Sequence, residues 1–127
     1  MLLCTKSASR IATLVIAGLF LLFAPAMAQG PAYLEDVDDL PLAPGLVEDP
    51  AARVAFDKPE GRIVQAAASG RADAADVHAF YAQSLPALGW QPGADRTWVR
   101  DKELLRVRVE AKGETVIVRY TIAPNAP

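Results

Sequence analysis

The chain has 127 residues, with 13 Lys+Arg against 15 Asp+Glu, one cysteine and one histidine. That balance lacks the concentrated positive charge of nucleic-acid binders. A single cysteine excludes an internal disulfide framework, CxxC redox chemistry and cysteine-ligated zinc or iron–sulfur sites, and a single histidine would leave any metal site almost wholly to carboxylates. No metal, cofactor or nucleic-acid partner is therefore expected.

Lys6 and Arg10 supply a positive start, Ile11 to Ala24 is an almost unbroken apolar run, and Pro25 precedes Ala26-Met27-Ala28, a small-x-small triplet of the kind a signal peptidase needs. A spanning helix needs roughly 20 apolar residues, and this run falls short. Residues 1–28 are expected to be a cleaved signal peptide that delivers the protein to the periplasm or beyond it. The alternative is an uncleaved inner-membrane anchor through residues 11–28. Cys4 lies before the apolar run, where lipoprotein acylation would not use it. Removing Lys6 and Arg10 with the leader leaves 11 basic residues against 15 acidic ones, a formal charge near −4.

Residues 29–52 hold Pro31, Pro41, Pro44 and Pro50 together with the acids Glu35, Asp36, Asp38 and Asp39, and show no sustained period. They predict an acidic, proline-rich arm. Leu40 to Val47 is too apolar for a solvated linker, so part of the arm is expected to lie along the domain surface or cover a sheet edge. The rival is that this stretch docks onto a partner protein.

From residue 53 to 123 the signals become regular and predict one small α+β domain, followed by a tail at 124–127. Arg53 to Phe56 and Arg62 to Ala68 flank Asp57-Lys58-Pro59-Glu60-Gly61, a composition that predicts a hairpin with Val64, Ala66 and Ala68 on one face. Asp73 is a predicted N-cap for a helix from Ala74 to about Leu88 that stops at Gly89. Pro86 is expected to kink or restart it near Leu85. Ala74, Val77, Tyr81, Leu85 and Leu88 form the apolar stripe, with Phe80 and His78 at its margins. His78 and Tyr81 are read as a boundary residue and a core aromatic rather than as catalytic groups, because no orienting acid or second histidine accompanies them.

Three antiparallel strands should follow: Trp90 or Arg96 to Arg100, Leu104 to Ala111, and Thr115 to Ala123. If Lys112-Gly113 is the last loop, Val109 pairs with Val116, Val107 with Val118 and Leu105 with Tyr120, which places all six side chains on one face. Arg106, Arg108 and Arg119 then occupy the opposite face, with Arg106 across from Arg119 and Arg108 across from Ile117. These three arginines are the candidate contact for an anionic group or a partner, since guanidinium suits bidentate recognition of carboxylate or phosphate. The competing reading is a solvated charged face. Trp98 joins the arginines only if the preceding loop has three residues; with two or four it turns to the core, the favoured placement.

Other chemistries find no pattern. Glu35-Asp36-Val37-Asp38-Asp39 lacks the glycine and terminal glutamate of a calcium loop, and neither a nucleophile elbow nor a phosphate-cradling glycine loop is present. The run Phe80-Tyr81-Ala82-Gln83-Ser84-Leu85-Pro86-Ala87-Leu88-Gly89-Trp90, ahead of short strands, resembles a class of small exported bacterial proteins of unknown function. In these an "FY…LP.LGW" helix end leads into a terminal meander, often after an "FDKP.GRIV" segment like Phe56 to Val64. The resemblance covers about residues 54–123 and implies export and fold, with no activity and no site.

The expected architecture is ββαβββ, one amphipathic helix across a mostly antiparallel sheet. The expected function is a non-enzymatic interaction or assembly module of the bacterial envelope, with an envelope protein as partner. The leading rival is a small-molecule or anion-binding domain using Arg106, Arg108 and Arg119, and a small enzyme is third. N-terminal sequencing of the protein recovered from the envelope tests its delivery: Gln29 as first residue is expected, and an intact Met1 would replace the cleaved signal with an anchor.

Overall fold

The computed structural model describes residues 32–125; the signal-peptide expectation and the start of the arm lie outside them. The described chain is a mostly antiparallel sheet with one helix. Its strands are β1 (Tyr33–Leu34), β2 (Val37–Pro41), β3 (Val47–Glu48), β4 (Val54–Lys58), β5 (Gly61–Arg71), β6 (Gln91–Pro92), β7 (Thr97–Arg100), β8 (Glu103–Lys112) and β9 (Thr115–Pro124), with α1 (Ala74–Ala87) between β5 and β6. The five expected strands are present as β4, β5, β7, β8 and β9, and β1, β2, β3 and β6 are additional. β1 and β2 form a separate hairpin. In the main sheet β5, β9, β8, β7 and β6 follow one another, while β3 and β4 both pair with β5. Among the described residues no helix is long and apolar enough to cross a membrane.

The β4–β5 hairpin closes at Lys58 and Gly61, so the turn is the two residues Pro59 and Glu60. Val64, Ala66 and Ala68 share the buried face of β5 as the period of two requires. Asp73 caps α1 by accepting from the Ala75 N–H at 2.9 Å. Pro86 does not split the helix, which runs unbroken to Ala87. In the last turn its ring costs one internal hydrogen bond, and the helix ends there anyway: the Leu88 and Trp90 N–H groups donate to the Leu85 carbonyl, and Gly89 donates to Pro86. Gly89 reverses the chain at φ +93°. Val77, Tyr81 and Leu85 are buried, whereas His78 is exposed.

The last hairpin keeps its expected faces and shifts its register. Val109 pairs with Val118, Val107 with Tyr120 and Leu105 with Ile122, two residues from the predicted pairing. The cause is the loop. Gly113 takes the first loop position at φ +59°, with Glu114 second, so Lys112 and Thr115 close it. A shift of one would have turned every side chain over; a shift of two preserves the face. Leu105, Val107, Val116, Val118 and Tyr120 are accordingly buried, with Val109 packed against them. β7 and β8 close at Arg100 and Glu103 around a two-residue loop, and Trp98, across from Leu105, packs against the core.

The segment expected to be an arm contributes to the core from Leu34 to Leu46. Leu34, Val37, Leu40, Leu42, Ala43 and Leu46 all belong to the buried cluster formed by β5, α1, β8 and β9. β3 also takes a place on the edge of β5, pairing Val47 with Ser69. Backbone approaches backbone here: a Cβ on Gly70 would lie 1.9 Å from the Gly45 carbonyl oxygen, so only glycine fits. At the other end the tail is partly structured, because β9 reaches Pro124 and the Asn125 N–H donates to the Lys102 carbonyl at 2.7 Å.

One buried hydroxyl joins these parts. Tyr81 of α1 donates to the Pro41 carbonyl at 2.9 Å and accepts from the Ala43 N–H at 3.3 Å. The Tyr120 hydroxyl of β9 lies 2.5 Å away. With the single proton of Tyr81 committed to Pro41, Tyr120 must be the donor to Tyr81. Burial pushes both phenols above their ordinary value near 10.0.

Replacing Tyr81 with Phe orphans a buried N–H, a carbonyl and a phenol, and should cost about 2–4 kcal/mol in urea unfolding. A raised phenol pKa contributes stability that is complete below about pH 10 and is lost as pH climbs beyond it, because the unfolded chain gives up those protons first. The thermal midpoint should therefore fall steeply above pH 10 in the wild type and less steeply in Tyr120→Phe; parallel curves would refute this assignment.

Candidate functional site

The helix and the N-terminal segment cover one face of the main sheet and leave the other open. Along β8 the side chains of Arg106, Arg108 and Glu110 project to the open face, opposite in sense to buried Leu105 and Val107. On β9 the same face carries Thr121, Arg119 and Ile117. The register places Arg108 across from Arg119, Arg106 across from Thr121 and Glu110 across from Ile117. The expected pairing of Arg106 with Arg119 is thus replaced by an Arg108–Arg119 opposition, a like-charge contact that is unfavourable without a neutralising group. Glu110 supplies part of that neutralisation, with its Oε1 3.8 Å from Arg119 Nε.

Eight arginines lie among the described residues, and five have a carboxylate at ion-pair distance. Arg100 is the most elaborately held. It pairs with Asp39 of β2, donates to the Leu88 carbonyl at 3.1 Å and lies 4.3 Å above the Trp90 ring, so it ties the end of α1 to the N-terminal segment. Arg62 makes a two-point contact with Glu103, at 2.8 and 3.2 Å, and this partner holds its guanidinium pKa above the ordinary range. Arg53 Nε is 2.9 Å from Glu48 without hydrogen-bond alignment. Arg71 pairs with Glu114 on the surface.

The three remaining arginines are Arg96, Arg106 and Arg108, and they line one concavity of about 450 Å³ together with Asp95, Val107, Val109 and Glu110. The candidate set is therefore redrawn: Arg106 and Arg108 stay together, Arg119 is engaged by Glu110, and Arg96 joins. Arg96 stood in the sequence only as a strand start. It sits instead in a tight turn, with Asp95 and Arg96 both left-handed at φ +53° and +60°, a conformation that side chains other than glycine adopt at a cost.

His78 and Tyr81 line a second concavity of about 390 Å³ with Arg96, Thr97 and Trp98. Two of its polar groups are committed to the fold. Tyr81 is spent on Pro41, Ala43 and Tyr120, and the Thr97 hydroxyl donates to the Ala94 carbonyl at 2.5 Å. Among the described residues no group of three or more His, Cys, Asp or Glu side chains could hold a metal ion.

A different surface runs along the far edge. Val47, Val54 and Phe56 are 71%, 45% and 48% exposed, and with Tyr33 they are the exposed large hydrophobic residues among the described residues. Their strand partners Ser69, Gln65 and Ile63 are the odd-numbered positions of β5, which face away from Val64, Ala66 and Ala68. All three therefore stand on the open face, along the edge built by β3 and β4. Every residue of β4 is exposed.

No family model, curated protein or solved structure matches the chain.

Proposed function

We propose that the protein is an exported, non-enzymatic interaction module of the bacterial envelope, holding a protein partner along the open sheet face at its β3/β4 edge. The alignment of Val47, Val54 and Phe56 carries this reading. Folding leaves few large apolar side chains in water when it can bury them, and three on one face of one edge form a contact strip rather than scattered exposure. β4 adds unpaired backbone groups beside that strip, the usual template for a strand or loop from another chain.

A catalytic role draws less support. Tyr81 and Thr97, which line the concavity with His78, are held by internal hydrogen bonds, and no carboxylate among the described residues lines it, so a general base would act there without an orienting acid. Export rests on the basic, apolar and small-residue order of residues 6–28, and the resemblance of the Phe80–Trp90 run to small exported proteins points the same way.

A photo-crosslinker placed at Val54 in living cells, followed by mass spectrometry, tests the strip. A discrete adduct is expected that disappears in Phe56→Ser, while the thermal midpoint moves by less than about 1 kcal/mol in equivalent stability because Phe56 is already half exposed. An adduct pattern unchanged by Phe56→Ser would contradict the reading.

A further inference from the structure

β8 is longer than its outer neighbour. Thr97 to Arg100 of β7 pairs only with Glu103 to Arg106, so Val107 to Lys112 has β9 on one side and no strand on the other among the described residues. Two-residue loops close both hairpins, and in such hairpins the closing pair is hydrogen-bonded. Alternation from the Arg100–Glu103 pair turns the N–H and C=O of Val107, Val109 and Ala111 outward. Alternation from the Lys112–Thr115 pair turns those of Arg108 and Glu110 toward β9, in agreement. No loop or turn backbone among the described residues bonds the outward groups. The free half-edge borders the concavity that gathers Arg96, Arg106 and Arg108, the three described arginines without a carboxylate at ion-pair distance.

We propose that this half-edge of β8 receives an extended segment of a partner protein in which acidic and apolar residues alternate. The added strand would bond Val107, Val109 and Ala111 through its backbone. Thr97 already stands across from Arg106, so an acidic side chain of the added strand would stand across from Arg108 on the open face and reach Arg106 diagonally, with Arg96 at the end nearest the turn. Its apolar side chains would extend the row of Val107 and Val109 on the helix side. Charge complementarity selects this occupant. An acidic strand relieves the Arg108–Arg119 opposition and meets Arg96, Arg106, Arg108 and Lys112 against Asp95 and Glu110, the latter already held by Arg119, whereas a second copy would bring the same net positive charge to the same edge. The inference rests on the interaction-module reading and names a partner segment for it, on a surface separate from the Val47–Val54–Phe56 strip.

The test uses the protein as its cells process it and a fluorescent peptide with six residues of alternating Glu and Val between soluble flanks. Anisotropy should show saturable binding that weakens with salt and about tenfold in Arg106→Ala/Arg108→Ala. The Lys-Val counterpart, and the Glu-Val peptide N-methylated at alternate residues, should not bind. Hydrogen exchange should slow at Val107, Val109 and Ala111 on binding. Equal binding of the N-methylated peptide would reduce the site to an anion contact and overturn the proposal, as would indifference to the arginine substitutions. A dimer whose Val107, Val109 and Ala111 amides are already protected without peptide would give the edge to a second copy, and would equally overturn it. The Phe56→Ser variant separates the two readings. Peptide binding should survive in it, and a Phe56-dependent adduct without any peptide binding would leave the interaction module standing and this inference refuted.

Discussion

The Tyr81 hydroxyl is the point on which the structure turns. It satisfies one acceptor and one donor of the N-terminal backbone, at Pro41 and Ala43, while accepting a hydrogen bond from the Tyr120 hydroxyl in the centre of the sheet. Helix, sheet and N-terminal segment thus share one buried polar centre, inside a cluster otherwise made of aliphatic side chains and Trp90. Buried polar groups are costly when half satisfied, and specific when every partner is present. The cluster therefore fixes where Leu40, Leu42 and Ala43 enter the core, in addition to binding them there.

That arrangement explains the asymmetry of the surface. With α1 and the N-terminal segment on one side of the sheet, the other side has no covering layer among the described residues, and its two edges differ in character. The β3/β4 edge is apolar and fully exposed along β4, whereas the outer half of β8 is cationic. Arg100 and Asp39 reinforce the division by closing the helix end over Trp90, which commits the most buried arginine to the fold and leaves Arg96, Arg106 and Arg108 available. Those three are set apart by what they lack, since burial and charge alone would not distinguish them from Arg71 or Arg119.

Much of the sheet was legible because strands print their faces in a period of two. Leu105, Val107, Val109, Val116, Val118 and Tyr120 could be assigned to one side without knowing the register, and the two-residue shift left that assignment intact. The exact pairing was not legible, because it depended on which loop slot Gly113 would occupy. The N-terminal segment hid its role for another reason: Leu34, Val37, Leu40, Leu42 and Leu46 reach the core from a hairpin and a loop, so no period marks them, and their polar partner Tyr81 is about 40 residues away. Arg96 escaped because two consecutive left-handed residues leave no pattern in composition. Pro92, Gly93 and Asp95 announced a turn, and nothing announced which way the following side chain would point.

The account stands most directly on native-state hydrogen exchange at the Ala43 amide. If the N-terminal segment is clamped into the core by Tyr81, that N–H should exchange only through the global opening that also exposes the amides of Val118 and Tyr120, with the same dependence on denaturant. Exchange at Ala43 that is fast and independent of denaturant while β9 remains protected would show a detachable arm, and would contradict the shared polar centre from which the rest of the structure has been explained.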